Sequence, residues 1–138
     1  MWDVARVGVL SGVKTTVKLA KVIVPVYFAV VFLKHTPLMG MISRAFAPVM
    51  SAFGLPGEAA TAVVLGNVVS LYSALAAVQA LHMSAQQVTV VGLMVVISHN
   101  LPSEYVVLRR MGAPAGLVTA GRFAASLVAG ALAGVVLR

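Results

Sequence analysis

The sequence contains no cysteine, which excludes disulfides and thiolate metal sites. Acidic residues are almost as scarce: three Asp and Glu in 138 residues, against ten Lys and Arg. Charged residues make up 9% of the chain, where a soluble domain carries about 25%. That shortage excludes an ordinary soluble globular domain. Disorder is excluded by the opposite quantity, since 61% of residues are hydrophobic and the mean hydropathy is +1.04. No phosphate-binding loop, GxSxG, HExxH or paired-carboxylate motif occurs, so the chain is not expected to be an enzyme. No two of the three histidines are spaced i, i+4, so neither a metal nor another cofactor is expected.

What is present is apolar helix. The whole chain, 1–138, reads as one membrane domain, and at about 20 residues per crossing it has room for three or four spans. Strands are not expected, because Val88–Ile97 does not alternate apolar with polar as a barrel strand would. Backbone groups in lipid need internal partners, which leaves helices. The expected fold is all-α and integral to the membrane. It has a basic amphipathic N-terminal helix, broken or re-entrant helices, and two to four spans. The net charge of +7 then points to lipid headgroups of the bilayer, not to nucleic acid. No cleavage pattern follows Val22–Leu33, so a secretory signal is not expected.

Lys14, Lys18 and Lys21 share one helical face, which predicts an amphipathic surface helix leading into an uncharged Val22–Leu33 stretch kinked at Pro25. Pro37–Phe53, interrupted by Pro48, suits an interfacial helix or one arm of a hairpin. Ala59–Leu81 is uncharged over 23 residues, enough to span. Val88–Ser98 is apolar for only 11 residues, about half a bilayer, and is expected to pair with the stretch after Leu101 as a re-entrant hairpin. Ala115–Leu137 is the last span.

One tetrapeptide pattern occurs twice. Leu55-Pro56-Gly57-Glu58 and Leu101-Pro102-Ser103-Glu104 lie 46 residues apart. Proline suits the first helical turn, and a glutamate there can accept from free N–H groups, so both motifs can act as caps. Pro56, Gly57 and Pro102 then break helices. Carboxylates near membrane depth usually face a polar cavity, and broken helices commonly build solute sites. Glu58 and Glu104 are therefore expected to border one polar cavity. Asn67 and Ser70 lie on one stripe of the 59–81 helix with Gly66 and Ala74, whose four-residue spacing signals close helix packing. Ser126, Gly130 and Gly134 repeat that signal. His99 and Asn100 precede the second motif. Arg122 either snorkels to headgroups or pairs with Glu104 or Glu58.

Gly54-Leu55-Pro56-Gly57-Glu58-Ala59, Gly66-Asn67, His99-Asn100-Leu101-Pro102-Ser103-Glu104 and Arg109-Arg110-Met111-Gly112 together resemble the nucleoside-recognition, or Gate, domain family over about residues 10–137. That family includes spore maturation membrane proteins and the gate regions of ferrous-iron transporters. It is distantly similar to concentrative nucleoside transporters. The resemblance implies recognition or movement of a small polar solute, a nucleoside being one candidate, in a bacterial-type cytoplasmic membrane. Glu58, Asn67, Ser70, His99, Asn100 and Glu104 would be its substrate residues. A non-transporting subunit of a sporulation-type complex and a metal-permeation gate are the alternatives. Full nucleoside transporters carry two such halves, and this chain has room for one. An antiparallel homodimer, or pairing with a related half-protein, would supply the second.

For spans near 22–33, 59–81, 88–100 and 115–137, one side receives Arg6, Lys14, Lys18, Lys21 and Arg138. The other receives Lys34, Arg44, Arg109 and Arg110, with Arg122 near that end. The two sides are nearly equal, so charge gives no orientation bias. Reporter fusions at the C-terminus are expected to be active on both faces of the membrane. Activity from one face alone would exclude dual insertion.

Overall fold

A computed structural model describes residues 2–137; Arg138 and the side chain of Asp3 lie outside the described residues. Among the described residues seven helices follow in order: α1 (Trp2–Lys34), α2 (Pro37–Ser51), α3 (Ala59–Val68), α4 (Leu71–Leu81), α5 (Ala85–Ser98), α6 (Leu101–Arg110) and α7 (Ala115–Val136). Among the described residues there is no strand. Three stretches of the described residues are long and apolar enough to cross a membrane: Val4–Lys34, Ala85–Arg110 and Ala115–Val136. The protein is an all-α integral membrane protein.

The first two segments differ from expectation in continuity. The basic surface half and the apolar half of α1 form one helix, which runs through Pro25 without ending. Thr36 and Pro37 open α2, where proline suits the first turn because its missing N–H has no helical partner. Pro48 lies inside α2 and does not interrupt it.

The larger correction concerns the middle of the chain, where the span and the hairpin exchange places. Ala59–Leu81 is not one crossing helix. It breaks at Val69 and Ser70 and folds back, so that α3 and α4 pack side by side. Ser70 is extended (φ −174°, ψ 160°), and its hydroxyl accepts from the Ser73 N–H at 3.2 Å, capping α4. Hydropathy cannot register such a break, because a serine cap costs little apolar character. Gly66 makes the fold-back possible. A Cβ there would lie 3.0 Å from the Ala74 Cβ and still nearer Val95.

Conversely, α6 does not fold back on α5. It packs on α7 and α3 while α5 packs along α7, so α5 and α6 form one interrupted crossing. A capping box between Ser84 and Gln87 starts α5 three residues before the apolar run that begins at Val88. The interruption is at His99 and Asn100; Asn100 is left-handed (φ 60°, ψ 34°), a conformation Asn tolerates because its short polar side chain can bond locally. Arg109 and Arg110 close α6 beside its free carbonyls. Gly112, at φ 75°, turns the chain into α7.

The core is built of small side chains. Ala59, Ala62, Ala74, Ala77 and Ala80 are buried with Val90, Val91, Met94 and Val95. Helices bearing alanine approach closely, which is how membrane helices gain packing energy where lipid supplies no hydrophobic drive. The hairpin makes a test on the cysteine-free background direct. Glu58→Cys and His82→Cys, at its two outer ends, should label from the same face of the membrane. Gln86→Cys and Arg110→Cys should label from opposite faces. Labelling of 58 and 82 from opposite faces would exclude the hairpin.

Candidate functional site

The site forms where two helix ends meet. At the end of α3 the carbonyl of Gly66 accepts from the Asn100 N–H at 3.2 Å. At the end of α5 the carbonyl of Ile97 accepts from the Arg122 Nε at 2.8 Å, and that of Val96 lies 2.9 Å from the His99 Nδ1. Terminal carbonyls lack helical partners, and each unsatisfied group in a membrane costs several kcal/mol. These contacts supply those partners. A cation at a helix C-terminus also opposes the helix dipole, which suits Arg122 to its place at the end of α5.

Arg122 does not snorkel. Its guanidinium reaches from α7 across the interruption and forms an ion pair with Glu104 in the first turn of α6. Glu58 is the N-cap of α3 but makes no side-chain capping bond, and at α6 the N-cap is Asn100, also without one, while Glu104 stands in the first turn. His99, Asn100, Ser103, Glu104, Val107 and Arg122 line an open polar groove of about 370 Å³. Arg122 and Glu104 are 30% and 28% exposed, so both remain accessible to a solute.

A second, apolar groove of about 380 Å³ lies among α2, α3, α5, α6 and α7. Asn67 is its one polar lining residue. The Asn67 Nδ2 donates to the Val63 carbonyl one turn back, at 2.8 Å, while its Oδ1 is buried without a partner.

The structure thus gathers His99, Asn100 and Glu104 in one groove and puts Asn67 in the other. Ser70 sits at the hairpin tip and lines neither. Glu58 is not brought to the site, contrary to the expected shared cavity. It opens α3 at the end away from Asn67, about 13 Å along the helix at 1.5 Å per residue. Pro56 lies in the turn before α3, and Gly57 is pressed so close to the Ser43 carbonyl that a Cβ would collide with it. Pro102 stands in the first turn of α6. Gly130 and Gly134 pack inside the chain, against Met94 and the Phe53 carbonyl. Among the described residues no cluster of three metal-ligating side chains occurs. Ser103 was missed as a lining residue, though it stands inside the repeated motif. The apolar walls Phe46, Met50, Phe123 and Leu127 carried no signal that separates them from other apolar helix.

An interrupted crossing, a folded-back helix pair and a polar groove at their junction define a membrane protein of the broken-helix kind. The sequence model of the Gate family, described as nucleoside recognition, matches residues 16–118. The chain belongs to that family. It is also 40% identical over 121 residues to the uncharacterized membrane protein YvoD of Bacillus subtilis (strain 168), covering 88% of this chain and 39% of that relative. The chain therefore spans about two-fifths of the relative's length. No solved structure matches.

Arg122→Met removes the cap on Ile97 and the partner of Glu104 together. It should cost about 1 kcal/mol, the net worth of a hydrogen bond between partly exposed partners, read as a lower unfolding temperature in detergent. Combined with Glu104→Gln, the loss should fall short of the two single losses added. Strict additivity would show that the pair is not coupled.

Proposed function

We propose that this protein is a transporter-like membrane component of a bacterial-type cytoplasmic membrane, and that it recognises a small polar solute of the nucleoside class in the groove of Asn100, Ser103, Glu104 and Arg122. The observation that carries this reading is the interrupted α5–α6 crossing, which opens a polar groove beside a carboxylate and a guanidinium. Polar and ionisable groups inside a membrane protein are expensive and mark solute pathways. Glu104 and Asn100 offer acceptors to sugar hydroxyls, and Arg122 and Asn100 offer donors. The family description, nucleoside recognition, supports the same class.

In this reading the chain supplies one half of a pathway. A second copy inserted in the opposite orientation, or a related half-protein, supplies the other. Gly66, Ala74, Ser126, Gly130 and Gly134 are buried within the chain, which supports a contact between halves made elsewhere. The exposed apolar faces of α1 and α7 remain for it.

Adenosine, cytidine, uridine and inosine can each be titrated into the full chain in detergent while its unfolding temperature is followed. A ligand that binds only the folded state raises that temperature. Asn100→Gly keeps the left-handed backbone, which glycine adopts freely, and removes the carboxamide from the groove. It should weaken nucleoside binding by about tenfold, the loss of one good hydrogen bond, with the ligand-free unfolding temperature little changed. Absence of any nucleoside effect on the wild-type chain would leave the non-transporting subunit as the better account.

A further inference from the structure

A charged face lies on the part of α1 that leaves the packed core. Lys14, Lys18 and Lys21 are exposed, while the residues by which α1 packs on the core begin at Val26. At 100° per residue the three lysines fall within about 60° of one another, over about two turns. Nothing in the chain neutralises them. From Val4 to Gly57 there is no Asp or Glu. Glu104 is taken by Arg122, and among the described residues none of the three lysines is in an ion pair. A second copy brings a further charge of +7, so self-association adds to the excess instead of cancelling it.

The position of this face along α1 restricts its partner. α1 ends at Lys34, just before α2, and the Thr61 hydroxyl in the first turn of α3 reaches the Met39 sulfur in the first turn of α2. The Lys34 end of α1 therefore lies near the opening of α3. Counted from Lys34, Lys21, Lys18 and Lys14 stand about 20, 24 and 30 Å along the helix at 1.5 Å per residue. The hydrocarbon layer is about 30 Å thick. With the polar Lys34-His35-Thr36 turn at one headgroup layer, the three lysines reach the other, their stems along apolar surface and their ammonium groups snorkelling outward. Val13 and Val17 beside them are also exposed. That mixture suits a boundary of acyl chains and phosphates better than a water-borne acidic protein segment. A zwitterionic headgroup returns a cation beside its phosphate, whereas an anionic one leaves its charge free for an ammonium group.

We infer that Lys14, Lys18 and Lys21 form a recognition face for anionic phospholipids, which gather at this half of α1 in preference to zwitterionic ones. Clustered lysines on a helix at the membrane surface attract anionic lipid in this way. The inference is independent of the nucleoside reading.

The test places the full chain in phosphatidylcholine bilayers with a trace of spin-labelled lipid. The fraction of label slowed by the protein gives the relative affinity of each headgroup. Spin-labelled phosphatidylglycerol should associate more strongly than spin-labelled phosphatidylcholine. The excess should fall as ionic strength rises from about 0.01 M to about 1 M, where the screening length drops from about 30 Å to about 3 Å. Lys14→Gln, Lys18→Gln and Lys21→Gln together should abolish it, each lysine being worth about fivefold, with the unfolding temperature unchanged. Lys14→Gln alone, farthest from the packed part of α1, should lower it and serves if the triple variant does not fold. Lys34→Gln, Arg44→Gln and Arg110→Gln together remove the same charge elsewhere and should keep most of the excess. Equal association of the two lipids with the wild-type chain would overturn the inference and leave an acidic protein segment as the partner of the face. An excess unaltered by the lysine substitutions, or lost as fully in the control, would overturn it as well.

Discussion

The arrangement depends on one guanidinium. Arg122 bonds the last free carbonyl region of α5 and pairs with the first-turn carboxylate of α6, so a single side chain on α7 bridges the two sides of the interruption. An interrupted helix in lipid needs substitutes for the lost backbone bonds. Here they come from three places: Arg122 for Ile97, His99 for Val96, and the Asn100 amide for Gly66 of the neighbouring hairpin. The polar groove exists because these partners do not refill the gap. They satisfy the backbone and leave the side chains of Asn100, Ser103 and Glu104 lining open space.

The glycines then determine how near the helices come to this junction. Gly66 admits Val95 and Ala74, Gly130 admits Met94, and Gly134 admits the Phe53 carbonyl. Each contact would be lost to a Cβ. Together they hold α3, α5 and α7 close enough for α7 to deliver Arg122 across α5. Small residues thus serve the interior of one chain, and the lipid-facing surface is left to larger groups such as Val64, Leu93, Phe123 and Leu132.

Much of this was legible in the sequence, and the failures have identifiable causes. Composition pointed to a membrane protein, because an ordinary soluble domain carries far more charge, and the lack of strand alternation left helices. The second L-P-x-E motif marked the interruption correctly, since proline and the preceding Asn100 both disfavour an unbroken helix. The hairpin at Ser70 was illegible because its break is made by a serine cap within an uncharged run, and a hydropathy window averages over it. Glu58 was misplaced for a different reason. Two copies of a motif suggested one shared cavity, but α3 intervenes and carries Asn67 to the junction in place of Glu58. The apolar groove had no sequence signature at all, because its walls come from α2, α3, α5, α6 and α7.

The length of α1 has a mechanical consequence. Its 33 residues extend about 50 Å at 1.5 Å per residue, while the hydrocarbon layer is about 30 Å thick. All the residues by which it packs on the core, Val26, Tyr27, Val30, Val31 and Leu33, lie in its C-terminal half. Residues 4–18 are exposed throughout. The N-terminal half therefore projects beyond the part of α1 that packs on the core. Lys14, Lys18 and Lys21 place charge along this half, where headgroups can meet it, and a helix longer than the hydrocarbon layer is accommodated by tilt. α1 bears on α4 and α2, α4 packs on α3, and the Gly66 carbonyl of α3 holds the Asn100 amide, so the packing path from α1 to the junction runs through the hairpin.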